Sequence, residues 1–182
     1  MSPSGTVHRL GVTLSDVDRG VYETLELRIA RHPSESARYF WQRTLAYCLS
    51  YEDGIAFSKG GLSDAEQPPV SIHDPTGILL AWIDVGSPSA ERLHRAAKAA
   101  RRVALFSAAE HENLEREAAS RKIHNLDDIA VFLLEPRFLD ALEGELGKQL
   151  DFELVRNSGS LYATMPKGNV LESTITETRL TG

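Results

Sequence analysis

Cysteine is almost absent from this chain of 182 residues, which holds only Cys48. One thiol excludes an internal disulfide and any thiolate-rich zinc site. The histidines include no pair at His-x-x-x-His spacing, which argues against a helix-borne zinc site. Long apolar runs are also missing. Ile78–Val85 is interrupted by Asp84 and falls far short of the ~20 residues that span a bilayer. The opening MSPSGTVHRL has no apolar core of a secretion signal, so a cytoplasmic location is expected. Nor is there an excess of basic charge: 20 Lys and Arg stand against 26 Asp and Glu, a formal net charge of −6. The surface as a whole is therefore not a nucleic-acid-binding surface, although a local basic patch could be one. No G-x-S-x-G, P-loop or Rossmann glycine pattern occurs, Asp16-x-Asp18 lacks the rest of a calcium loop, and no segment repeats.

What remains is the composition of a soluble globular protein, 42% hydrophobic and 25% charged. The length suits one domain, 1–182, with a core of its own. Thr6–Leu14 and Val21–Ala30 alternate as strands around the turn at Asp16–Gly20, and the spacing predicts a hairpin. Ser34 is placed as an N-cap for an amphipathic helix over 35–50, where Ala37, Phe40, Trp41, Thr44, Leu45 and Cys48 recur at three and four. A short strand at Gly54–Ser58 and a loop over 60–69 follow. Val70–His73 and Ile78–Val85 flank the turn sequence Asp74-Pro-Thr-Gly77 and should pair. Helix 89–101, strand Val103–Ser107, polar helix Glu110–Lys122, strand Ile129–Leu134 and helix Pro136–Lys148 come next. Strands at Asp151–Arg156, Leu161–Met165 and Val170–Thr176 complete the chain. Hairpins at both ends and helix–strand alternation between them predict an α/β fold with a mixed sheet flanked by helices.

The second hairpin carries the chemistry worth weighing. Centring its turn between Pro75 and Thr76 sets Asp84 opposite Gln67, beside Glu66 and not far from Asp64. Carboxylates opposed in a sheet repel, and their desolvation needs a positive partner. A divalent cation is the simplest such partner, and Mg²⁺ is commonly held by one or two carboxylates plus water and phosphate oxygens. The plainer alternative has Asp64 and Glu66 solvating a loop and Asp84 capping the next turn. Asp74 belongs to the hairpin turn, at the far end of the strand from Asp84. Glu35, beside Ser34, reads first as a helix-dipole partner, and Cys48 as a core residue.

After Asp84 comes a helix loaded with cations: Arg92, His94, Arg95, Lys98, Arg101 and Arg102. Leu93, Ala97 and Ala100 form its apolar stripe, with Ala96 alongside, which sends Arg95, Lys98 and Arg102 to the opposite side. That side is either a solvated face or a stripe that tracks phosphates.

These residues together resemble the YaeQ family. Ala30–Ser36 reads ARHPSES where LARHPSET is typical of its members. Gly61-Leu-Ser63, Asp64-Ala-Glu66-Gln-Pro68, Asp74-Pro-Thr-Gly77, Ala81-Trp-Ile-Asp-Val-Gly86, Pro88 and Val103-Ala-Leu-Phe106 follow in the family's order. The resemblance runs from Asp16 onward. It implies a variant of the PD-(D/E)xK nuclease fold, a restriction-endonuclease-like mixed sheet with extra C-terminal antiparallel strands. The nuclease-like core would cover about 20–135, and the C-terminal helix and strands about 136–178. In such enzymes Mg²⁺ between strand carboxylates activates water against a phosphodiester. Carried over, Asp84 matches the central acid, Glu66 or Asp64 the preceding one, and Glu35 a helix acid that joins the metal. The lysine expected two residues after Asp84 is replaced by Gly86. In some members of that superfamily it stands on the next helix, where this chain has Arg95 and, one turn on, Lys98. Arginine cannot act as a general base at neutral pH, though it can stabilise charge. Pro69 and Gln67 stand where some members carry acids.

The resemblance thus implies a Mg²⁺-dependent nuclease-like protein. Asp84, Glu66 and Glu35 would be the metal ligands and Lys98 or Arg95 the cation at the phosphate, with Asp84 shared between metal and catalysis. Arg95, Lys98 and Arg102 are the residues expected to contact nucleic acid. The alternatives are a non-catalytic relative that binds nucleic acid or a protein partner, and a structural or regulatory module without a metal.

Overall fold

Two long strands open the chain because their apolar residues fall on every second position. In β1 (Thr6–Asp16) His8, Leu10, Val12, Leu14 and Asp16 are buried, and in β2 (Val21–Arg31) Leu25, Leu27 and Ile29. The strands pair antiparallel from Thr6 opposite Arg31 to Asp16 opposite Val21, around a turn that ends on Gly20 at φ +68°. The computed structural model describes residues 5–59 and 66–182. It divides into two compact units, one formed by residues up to 41 with 135–175, the other by 42–134 with 176–182.

In the first unit β8 (Gln149–Asn157) lies parallel to β1, with Arg9 opposite Gln149. It returns as β9 (Ser160–Thr164) through Ser158–Gly159, both at positive φ, a two-residue turn whose twist matches the strands it joins. The next strand, β10 (Val170–Thr178), pairs antiparallel with β9. The order within this unit is β2-β1-β8-β9-β10. Helix α4 (Pro136–Glu143) starts on proline, whose missing N–H has no intrahelical partner to lose, and buries Phe138, Leu139 and Leu142. It stops at Glu143 rather than running to Lys148: Gly144 is its C-cap, and the stretch 144–148, with a second glycine at Gly147, leads into β8.

Helix α1 (Ala37–Leu49) begins in the first unit and ends in the second. Its cap is Ser36, whose hydroxyl accepts the Tyr39 amide at 3.0 Å. Ser34, the residue expected there, instead bonds His32 Nδ1 through its hydroxyl at 2.6 Å. Phe40, Trp41, Leu45 and Cys48 are fully buried along α1. Burial pushes the Cys48 thiol up to about 12, so it is a core residue without thiolate character.

The second unit is where the chemistry-bearing residues of the sequence gather. Its strands are β3 (Ile55–Phe57), β4 (Val70–His73), β5 (Leu79–Val85), β6 (Arg102–Ser107) and β7 (Ala130–Leu134). They lie in the order β7-β6-β5-β4-β3. β3, β4 and β5 are mutually antiparallel, whereas β5, β6 and β7 run parallel. Parallel neighbours need a crossover, and α2 (Ala90–Ala99) supplies it between β5 and β6. Helix α3 (His111–Ala118) and a 3₁₀ turn (Leu126–Asp128) lie between β6 and β7. β5 is buried over Ala81–Val85, the near-continuous apolar run of a central strand. Trp82, Leu93, Ala96, Leu105, Leu114, Ala118, Val131 and Leu180 form one core between these strands and the two helices. The predicted pairing of Val70–His73 with the strand ending at Val85, and the return of β6 to the same sheet, are both found. The architecture is a mixed α/β fold.

Candidate functional site

Asp84 is 2% exposed at the end of β5, and its neighbours explain why a carboxylate can stay there. Trp82 and Asp84 share one face of the strand, two residues apart. Asp84 Oδ2 accepts the Trp82 indole N–H at 3.2 Å and Nε of Arg92 at 2.6 Å. Oδ1 accepts the Val85 amide at 3.0 Å. Arg92 comes from the first turn of α2, which Ser89 caps by accepting the Arg92 amide at 3.1 Å. Gly86, at φ +79°, makes the turn between strand and helix. The Arg92 guanidinium lies 5.3 Å from the Trp82 ring centroid and donates to the Gln67 carbonyl at 2.9 Å. The charge on the buried acid is thus met by an arginine stacked on an aromatic ring and tied to the preceding loop.

Sequence spacing had set Glu66 beside Asp84. Glu66 instead pairs with Arg95 at 3.3 Å, its side chain 74% exposed. Asp64 lies outside the described residues. The hairpin register is the cause: centring the turn between Pro75 and Thr76 pairs Val70 with Ala81, whereas Val70 faces Ile83, and the pairing shifts between Ile72 and His73. Asp74 stays in the turn, as expected. Its Oδ1 accepts the Thr76 hydroxyl at 2.6 Å and the Thr76 and Ile78 amides at 2.8 and 2.9 Å. The Thr76 hydroxyl and the Ile78 amide hold its carboxyl below the usual range. Glu35 is buried in the first unit, its amide donating to the His32 carbonyl and its own carbonyl accepting Arg31 Nε at 3.0 Å.

The cations divide differently from the helical-wheel reading. Arg102 begins β6 rather than ending the helix and is paired with Glu52. Arg95 pairs with Glu66 and, at 3.4 Å, with Glu91. Lys98 and Arg121 have no acidic partner among the described residues. Both line an open cleft of about 440 Å³ with Glu91, His94, Arg95 and Ala99. His94 Nδ1 accepts the His124 amide at 3.0 Å. Partial burial, together with the charges of Arg121, Lys98 and His124, holds His94 below the ordinary histidine value. Its neutral ring, with Nδ1 engaged as an acceptor, carries its proton on Nε2.

Comparison with known proteins assigns the family. A model of the family described as YaeQ protein matches residues 1–173. The chain belongs to the YaeQ family. The crystal structure of YaeQ protein from Pseudomonas syringae superposes with a TM-score of 0.84 at 28% identity, covering 98% of this chain and 97% of that one. The structure of YaeQ protein from Xanthomonas axonopodis pv. citri gives 0.85 at 26% identity, over 97% of this chain and 99% of that one. The uncharacterized protein YaeQ of Escherichia coli (strain K12) is 33% identical over 107 residues, 59% of this chain and 59% of its own length. That of Salmonella typhi is 33% identical over 108 residues with the same coverage. The matched segment thus spans about three fifths of these curated relatives.

Set against the magnesium site that the nuclease resemblance implies, the donors of this YaeQ-family chain do not fit as arranged. Both oxygens of Asp84 are occupied by Arg92, Trp82 and Val85, and Glu66 faces Arg95. Among the described residues no three His, Cys, Asp or Glu side chains gather as metal ligands. The residue that sequence reasoning passed over is Arg92. On the α2 wheel it falls about 40° from Ala96, at the edge of the buried stripe, and that position was the available signal.

Proposed function

We propose that this chain is a non-catalytic, nucleic-acid-binding member of the YaeQ family on a nuclease-like scaffold, acting in the cytoplasm. The observation that carries the reading is the closed Asp84–Arg92 pair beside cations that remain open. An acid bound to a guanidinium, an indole N–H and an amide has three of its roughly four lone-pair sites filled and its charge met by Arg92, so a metal would compete with Arg92 for it. Lys98 and Arg121 border a cleft with no acidic partner among the described residues, the arrangement by which a protein of net charge −6 can still meet phosphates locally. No described helix is long and apolar enough to cross a membrane.

The test is binding of a fluorescently labelled oligonucleotide, followed by anisotropy as salt is raised. Affinity should fall with salt, and Lys98→Ala should reduce the slope of log K against log salt by about 0.7–0.9 unit, one phosphate contact. No binding at low salt contradicts the reading.

A second reading, a Mg²⁺-dependent nuclease, is favoured by one observation: Asp84 lies near the end of β5, the second strand of a hairpin with β4, as the nuclease resemblance expects of the central acid. It requires a metal to share or take over the Asp84 carboxylate that Arg92 now neutralises. Calorimetric titration with Mn²⁺ separates the two, since heat above dilution at millimolar metal that disappears in Asp84→Asn supports the nuclease.

A further inference from the structure

We propose that the cleft between α2 and the segment following α3 is a phosphate-binding subsite. Lys98 and Arg121 would hold the phosphate oxygens, and His94 would donate to one of them from Nε2. The inference deepens the nucleic-acid reading and rests on it for the source of the phosphate, but the site itself is argued from the cleft.

Three observations converge. The first is charge without neutralisation. Cations on a protein surface commonly sit near acids, and here Arg95 and Arg102 do so, on Glu66, Glu91 and Glu52. Lys98 and Arg121 do not, among the described residues, although they come from separate elements and face one cleft of about 440 Å³. Bringing unpaired like charges together is unfavourable unless an anion joins them. The second is the tautomer of His94. The His124 amide donates to Nδ1, which fixes the lone pair there and leaves Nε2–H as a neutral donor. A neutral donor lining the same cleft as two cations adds a hydrogen bond without adding repulsion. The third is the way the cleft is held together. The His124–His94 bond ties the segment bearing Arg121 to the helix bearing Lys98, and Leu93, Ala96, Ala118 and Ile123 pack in one core beneath. The two cations therefore stand on braced elements, and less ordering is required on binding.

A single acid, Glu91, also lines the cleft, but it pairs with Arg95. The chemistry selected is a tetrahedral dianion or a backbone phosphate, too short to reach beyond the cleft without a chain attached. That phosphate could be part of a nucleic-acid strand or of a small phosphorylated molecule.

The experiment uses the full chain labelled with ¹⁵N and ¹³C. Inorganic phosphate, with chloride at matched ionic strength as control, is titrated while the His94 ring resonances are followed by NMR. In parallel a labelled oligonucleotide is titrated against wild type, Arg121→Ala, His94→Ala and Arg102→Ala. The expected result is a saturable movement of His94 with phosphate but not chloride. Oligonucleotide affinity should fall about fivefold in Arg121→Ala, the loss of one charge-assisted contact at an exposed cleft, with a smaller fall in His94→Ala and little change in Arg102→Ala. If the oligonucleotide binds but Arg121→Ala and His94→Ala leave affinity unchanged and His94 does not move, the subsite is overturned while the nucleic-acid reading stands. If phosphate moves His94 and the oligonucleotide fails to bind, the subsite stands and serves a small phosphorylated molecule. If neither ligand acts, both are overturned.

Discussion

Asp84 and Arg92 are each left stranded when the other is removed. Side-chain exposures of 3% and 20% make this a largely buried pair, and breaking such a pair from one side costs about 3 kcal/mol or more. Asp84→Asn should lower stability by about that amount in urea denaturation, and Arg92→Ala by at least as much, since it leaves the carboxylate buried. The double variant should lose less than the sum. A cluster of repelling carboxylates would give the opposite sign for Asp84→Asn, so a gain in stability would restore that picture. The buried acid was legible in the sequence, since a charged residue inside an apolar strand needs a partner. The partner was not, because the assumed register puts carboxylates around Asp84, whereas the edge of the α2 apolar stripe carries Arg92 to it. Glu115 offers a second residue-level test. Its carboxylate accepts the Thr181 and Gly182 amides at 3.0 Å each and so holds the last residues, including buried Leu180, against α3. Partial burial pushes its carboxyl up, but those amides, the Thr181 hydroxyl and His111 outweigh it and the net direction is down. A depressed carboxylate contributes stability above its unfolded value and loses it as pH falls through the lower folded value. Glu115→Gln should therefore be less stable than wild type near neutrality by about 1 kcal/mol in urea denaturation, and the difference should shrink as pH falls below the ordinary glutamate range.

Elements were read from the sequence more completely than their contacts. Strand alternation in Thr6–Leu14 and Val21–Ala30 gave the first hairpin, and the Asn157-Ser-Gly159 turn gave the hairpin of β8 and β9. The central hairpin was found with its register displaced by two residues: one comes from the turn, since His73 faces Leu79, and one from the irregularity between Ile72 and His73, which has no signature in residue type. A displacement of two preserves which side chains share a face, but it moves Asp84 from opposite Gln67 to opposite Pro69, away from Glu66. α4 is shorter than the sequence reading because it ends at its glycine cap, Gly144, although the polar residues beyond keep a helix-compatible spacing. The β8–β9 turn carries a prediction of its own. Ser158 stands at φ +50° and Gly159 at +81°. Asparagine tolerates the first position better than serine, and a β-carbon at the second is strained. Ser158→Asn should stabilise by about 0.5 kcal/mol and Gly159→Ala destabilise by about 1 kcal/mol, read from denaturation midpoints at constant slope.

At the scale of the whole molecule the net charge of −6 opposes contact with a polyanion. Screening confines that repulsion to about 10 Å at roughly 0.1 M salt, so the cleft lined by Lys98 and Arg121 can act within its own neighbourhood. Net charge could be counted from the sequence, but the position of Arg121 opposite α2 could not, since it depends on how the segment after α3 packs. Binding through such a cleft involves no divalent ion, whereas a nuclease site binds its substrate through one. The direct measurement is the affinity and integrity of a labelled oligonucleotide in EDTA and in Mg²⁺ at matched ionic strength. The expected result is the same affinity in both and an oligonucleotide that stays intact. Binding that appears only with Mg²⁺, or cleavage that begins when Mg²⁺ is added, would contradict the account.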